Sequence, residues 1–108
     1  MRQTLVVLML ATAACAPQPE PTAAWMPGST ARGAQIAQTR CGGCHAVDRG
    51  GVSPHPSAPA FRDLSSRYPV ADLQEGLAEG LVTAHPDMPE FSFEPQEVRD
   101  LIAYLETL

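Results

Sequence analysis

The chain has 108 residues, 44% hydrophobic and 18% charged, enough for one small domain. Its seven basic residues are all arginine and are outnumbered by twelve acidic ones, for a formal net charge of −5. No basic run exists to hold a nucleic acid, while an acidic surface suits either docking to a basic partner or simple solubility.

The first segment, residues 1–14, has the pattern of a bacterial secretion signal. Arg2 supplies the positive end, and Leu5 to Ala14 form an uncharged apolar and small-residue stretch. That stretch is about half of what a bilayer span requires, so a permanent transmembrane anchor is not expected. Cys15 follows Thr12-Ala13-Ala14, which resembles a lipoprotein cleavage box and makes Cys15 the candidate lipidation site. The competing reading is cleavage after Ala13, which satisfies an A-x-A pattern and leaves Cys15 as a free thiol. Residues 15–30 form a Pro-rich tail. Pro17, Pro19, Pro21 and Pro27 forbid a regular helix and favour extended chain, either a spacer or a plain linker.

The folded domain is expected over residues 31–108. Ser29 or Thr30 can cap a helix running toward Thr39, with Gly33, Ile36 and Ala37 on one face. A glycine there lets another helix come close.

Next comes Cys41-Gly42-Gly43-Cys44-His45, the C-x-x-C-H signature of covalent c-type haem attachment. The two thiols add across the porphyrin vinyl groups as thioethers, and the short spacing brings both sulfurs to one macrocycle. His45 then lies beneath the iron as proximal ligand. Zinc binding needs about four ligands, and no second cysteine pair is present. A dithiol redox site needs a βαβ frame, and no strand pattern surrounds the motif.

Asp48 to Pro59 reads as loop, rich in glycine and proline. Phe61 to Ser66 reads as one or two helical turns. Pro69 opens a helix with Val70, Leu73 and Leu77 inward and Gly80 as its stop. Leu81 to Phe93 is loop. It contains His85-Pro86-Asp87-Met88-Pro89-Glu90-Phe91. The last helix opens at Pro95 after Glu94. Val98, Leu101, Ile102, Leu105 and Leu108 form its apolar stripe.

The candidates for the second axial ligand are Met88, His85, His55 or an open position. Met88 is favoured: it stands between prolines and outside any helix stripe, and Pro89 restricts it to extended backbone. Pro59 is the candidate backbone acceptor for the other ring N–H of His45. No role is assigned to His55 or His85.

These residues resemble the class I c-type cytochromes, over Gly33 to Leu105. Ala58-Pro59-Ala60-Phe61 is similar to the family's Gly-Pro-x-Leu, whose proline carbonyl holds the proximal histidine. Met88-Pro89-x-Phe91 resembles the bacterial distal-methionine loop. Leu101-Ile102-Ala103-Tyr104-Leu105 is similar to the C-terminal helix. The resemblance implies an all-α cytochrome c fold, three to four short helices around one covalently bound haem c. It implies a one-electron carrier without its own catalytic site, periplasmic or tethered as a lipoprotein, serving redox protein partners. A cytochrome subunit of a larger complex, or a gas-binding haem protein, is the alternative. Two departures stand out: Ala37 replaces an aromatic, implying a thinner contact between first and last helices, and no lysine ring is present.

Overall fold

A computed structural model describes residues 26–80 and 87–108. The expected secretion signal, Cys15 and His85 lie outside the described residues. Within them, the fold is helical and contains no strand.

Helix α1 spans Thr30–Ile36, and Ser29 is its cap, the Ser29 hydroxyl accepting from the Arg32 backbone N–H at 3.3 Å. The chain then widens into a π-helical turn, Ala37–Cys41. Thr39 accompanies this change of pitch, its hydroxyl donating to the Gln35 carbonyl at 2.8 Å. The turn ends at Cys41, so α1 leads directly into the C-x-x-C-H segment.

Two short 3₁₀ helices follow, Phe61–Ser66 and Val70–Asp72. Phe61, Leu64 and Val70 are their buried residues, and Pro69 precedes the second. The second runs into α2, Leu73–Glu79, which turns only its Leu77 fully inward. Gly80 ends α2 at φ +92°, a conformation that L side chains rarely adopt.

Helix α3 spans Pro95–Leu105 and has the best-defined start in the chain. Pro95 takes the first position. The Glu94 and Glu97 side chains reciprocally accept from each other's backbone N–H, at 2.9 Å for the bond to Glu97. Val98, Leu101, Ile102 and Leu105 are buried along one stripe. Burying a leucine as completely as Leu101, 2% exposed, contributes about 1.5–3 kcal/mol.

Helix α1 crosses α3 at Gly33. A β-carbon there would collide with the Asp100 carbonyl oxygen and the Tyr104 β-carbon, so only glycine permits this approach. Gly28 is similarly close to the Arg99 carbonyl and Ala103. The ordered packing therefore begins a few residues before the helix, where composition reads as tail. Small residues at the crossing, not proline density, decide where the chain settles. Ala37 is completely buried in the core cluster.

Asp100 is the buried acid of this crossing, 2% exposed. It accepts from Arg32 Nε at 2.7 Å, the Ser29 backbone N–H at 2.7 Å and Gln96 Nε2 at 2.9 Å. The Arg32 guanidinium, foremost among these donors, holds its carboxyl down to about 2 despite burial.

Candidate cofactor site

The C-x-x-C-H segment leaves the π-helical turn as a tight loop. Cys44 and His45 backbone N–H groups both donate to the Cys41 carbonyl, at 3.0 and 2.9 Å. This places Cys41 partly buried and Cys44 exposed, with their thiols unbonded to each other. Burial pushes the Cys41 thiol up to about 11, against a smaller opposing pull from Arg40. At neutral pH it is a protonated thiol facing an apolar space.

That space is a cavity of about 580 Å³. Cys41, Cys44 and His45 line one side, with Ala58, Pro59 and Phe61. Met88, Pro89, Phe91 and Phe93 come from the loop before α3, while Leu77 of α2 and Leu101 and Leu105 of α3 complete it. Met88 is half-buried. The sequence candidates Cys41, Cys44, His45, Pro59 and Met88 thus share one cavity, although Met88 lies far from the rest along the chain.

The wall around His45 is the most densely bonded. His45 Nδ1 lies 2.7 Å from the Pro59 carbonyl oxygen. One residue on, Phe61 N–H donates to the Ala46 carbonyl at 2.9 Å. Ala46 N–H donates to the Ser53 hydroxyl at 3.0 Å, and His55 N–H to the Cys44 carbonyl at 3.0 Å. Behind this wall, the Tyr104 hydroxyl donates to the Val47 carbonyl at 3.0 Å, and Gln38 donates to Asp48 at 3.0 Å.

Among the described residues, the opposite wall carries fewer and longer contacts. Phe93 N–H donates to the Leu77 carbonyl at 3.1 Å, and the Ser92 hydroxyl to the Ala78 carbonyl at 3.3 Å. The Arg40 guanidinium lies 4.1 Å from the Phe93 ring centroid and 5.5 Å from that of Phe91, and 3.5 Å from Glu97. His55 reaches across the mouth, its Nε2 3.5 Å from Asp87.

Sequence reasoning singled out neither Phe61 nor Arg40 as site residues. Phe61 follows the Pro59 motif by two positions, which was the available signal. Arg40 adjoins Cys41, but its aromatic partners are distant in sequence.

The residues present suit a flat, largely apolar macrocycle bearing a metal: two unpaired thiols on one edge, an imidazole on one face, a thioether from the other wall and leucine and phenylalanine sides. Among the described residues, no group of three or more His, Cys, Asp or Glu could hold a bare metal ion. The donor set that lines the cavity suits a metal that arrives inside its own ring.

Comparison with known proteins agrees. The family model for cytochrome c matches residues 30–108. Cytochrome c-552 of Bradyrhizobium diazoefficiens is 33% identical over 76 residues, covering 70% of this chain and 71% of that one. A cytochrome c-553-like protein of Synechocystis is 32% identical over 81 residues, covering 75% and 70%. The chain belongs to the cytochrome c family. Its cofactor is accordingly a covalently bound haem c, and the protein is an electron carrier. Among the described residues, no helix is long and apolar enough to cross a membrane.

Proposed function

We propose that this protein is a one-electron carrier whose haem is attached through Cys41 and Cys44 and whose iron is held by His45 and Met88. It serves a periplasmic or membrane-tethered electron-transfer chain. The supporting observation is the meeting of His45 and Met88 in one apolar cavity, with His45 Nδ1 on the Pro59 carbonyl at 2.7 Å.

When bound, the haem supplies a ferric–ferrous couple. His45 donates its Nδ1 proton to Pro59, which leaves the Nε2 lone pair for the iron and fixes the tautomer. Met88 offers a soft thioether, which favours the reduced state relative to a second imidazole. The apolar lining excludes water and acts in the same direction. With His45 and Met88 both holding the iron, the residues of this cavity would bind and tune the haem for electron transfer rather than for bond chemistry.

The carrier docks through an acidic exterior, at a net charge of −5, to redox proteins of complementary basic surface. Export rests on the Arg2 and Leu5–Ala14 pattern, and tethering on acylation at Cys15. Mass spectrometry of the mature N-terminus checks the tether; an unmodified Cys15 thiol ends that part of the reading.

The ligand assignment is tested by Met88→Ala. Oxidised wild-type protein is expected to show the weak near-infrared band of methionine bound to ferric haem iron, and reduced wild-type protein to ignore carbon monoxide. The variant is expected to lose the band and bind the gas. A variant identical to wild type in both respects rules Met88 out. Tight carbon monoxide binding by wild type favours the gas-binding alternative.

A further inference from the structure

The proximal hydrogen bond leaves one freedom unaccounted for. A single contact from Nδ1 to the Pro59 carbonyl fixes one corner of the His45 ring. Together with the covalent link at Cγ this contact restrains the ring, but a hydrogen bond tolerates a spread of angles, so the plane can still librate relative to whatever Nε2 binds. A neighbour on the ring's face narrows that libration.

Phe61 is placed to do so. Its ring centroid lies 5.2 Å from that of His45, with the planes inclined at 47°. That separation is within the range of attractive aromatic pairing. Phe61 is itself fixed twice. It is 8% exposed within the main core, and its backbone N–H donates to the Ala46 carbonyl at 2.9 Å. Ala46 adjoins His45, and Phe61 lies two residues after Pro59. The two segments are thus joined by two reciprocal contacts, one through the imidazole and one through the backbone. They hold the Phe61 ring in register with the ring it touches.

We propose that Phe61 is a positioning residue that sets the rotational orientation of the His45 imidazole, and thereby the electronic anisotropy of the iron that His45 binds. This rests on the assignment of His45 as axial ligand. Leucine or methionine would fill much of the same space. Neither has a flat face, and both are pliable where a phenyl ring is stiff, so the imidazole regains its freedom. Tyrosine retains the flat ring.

The test uses the oxidised holoprotein, by electron paramagnetic resonance and by proton NMR of the haem methyl groups. Both report the orientation of the axial ligand planes. Phe61→Leu and Phe61→Met are expected to shift the largest g value and to change the spread of the methyl resonances. The near-infrared band of methionine ligation should survive in both. Phe61→Tyr is expected to keep the wild-type pattern. Val98→Ala, a core truncation away from the cavity, controls for general loosening and should leave both spectra unchanged. If Phe61→Leu or Phe61→Met keeps the wild-type g values and methyl spread, the proposal is overturned. It is equally overturned if Val98→Ala shifts them as much. Absence of the near-infrared band from the wild type would instead count against the Met88 ligation, a separate failure. Loss of bound haem iron ligation by His45→Ala in every spectrum checks the reading on which the proposal rests.

Discussion

The two walls of the cavity are built differently. Around His45, backbone and side chain interlock at close range: Pro59 carbonyl to imidazole at 2.7 Å, Phe61 to Ala46 at 2.9 Å, and Ala46 to Ser53 at 3.0 Å. Around Met88, the loop is attached by longer contacts, 3.1 Å at Phe93, 3.3 Å at Ser92 and 3.5 Å between His55 and Asp87, and by the Arg40 guanidinium lying on two phenyl rings. The lesson is one of division of labour. In the folded chain the imidazole is tied to the backbone around it, while the thioether sits on a segment expected to yield first. Local stability is not uniform across a fold, and sparsely bonded loops open at lower cost than interlocked ones.

The largest expected effect comes from removing what joins the walls. A Cys41→Ala, Cys44→Ala chain leaves the 580 Å³ cavity unfilled. That leaves its apolar lining in water, a loss that a small domain with only about 5–15 kcal/mol of stability is not expected to bear. The apo variant should therefore show little helix by far-ultraviolet circular dichroism. A cooperative helical melt in that variant would mean that the walls stand without haem.

Next is the crossing that braces the His45 side from behind. Gly33→Ala gains about 1 kcal/mol of helix propensity, but drives a methyl group into the backbone of α3. The collision prevails, with a net loss of about 2–3 kcal/mol in denaturant unfolding. No loss would show that α1 can ride away from α3 freely.

Acid probes the same crossing more gently. Asp100 has a folded-state pKa of about 2, below the ordinary carboxylate value in the unfolded chain. Its contribution is therefore full above pH ~4 and is lost as pH falls through 2. The Arg32 side chain is half-exposed, so water screens part of the attraction and the contribution is about 1–2 kcal/mol. Asp100→Asn should remove that increment at neutral pH and flatten the acid limb of a stability–pH curve. An unchanged acid limb would dismiss Asp100 as its source.

The smallest effect sharpens the comparison at the looser wall. Arg40→Ala removes the cation from the Phe91 and Phe93 faces and the partner of Glu97, about 1 kcal/mol. The loss should fall on the Met88 loop, seen as a lower denaturant midpoint for the near-infrared band with little change in the helical signal. Equal shifts in both signals would place Arg40 in the global fold instead.

What was legible in the chain followed from chemistry carried by neighbouring residues. C-x-x-C-H announces itself by spacing, α3 by Glu94, Pro95 and its stripe, and the helix crossing by Gly33. Less legible was anything depending on residues far apart along the chain. Nothing along the chain marks Asp100, whose partners Arg32, Ser29 and Gln96 gather only in the fold. Nothing along the chain marks Arg40 either, since Phe91 and Phe93 come beneath it only in the fold. His55 reads as a solvated loop residue, and only the fold brings it to Asp87 at the cavity mouth.

One titration bears on the ligands and on the contrast between the walls together. Denaturant is added to the oxidised holoprotein while the near-infrared band and the far-ultraviolet helical signal are followed in the same samples. The band should be present in native protein and should vanish at a lower denaturant concentration than the helices. A native protein with no band would contradict ligation by Met88, and a band that persists until the helices melt would contradict a Met88 loop weaker than the wall that holds His45.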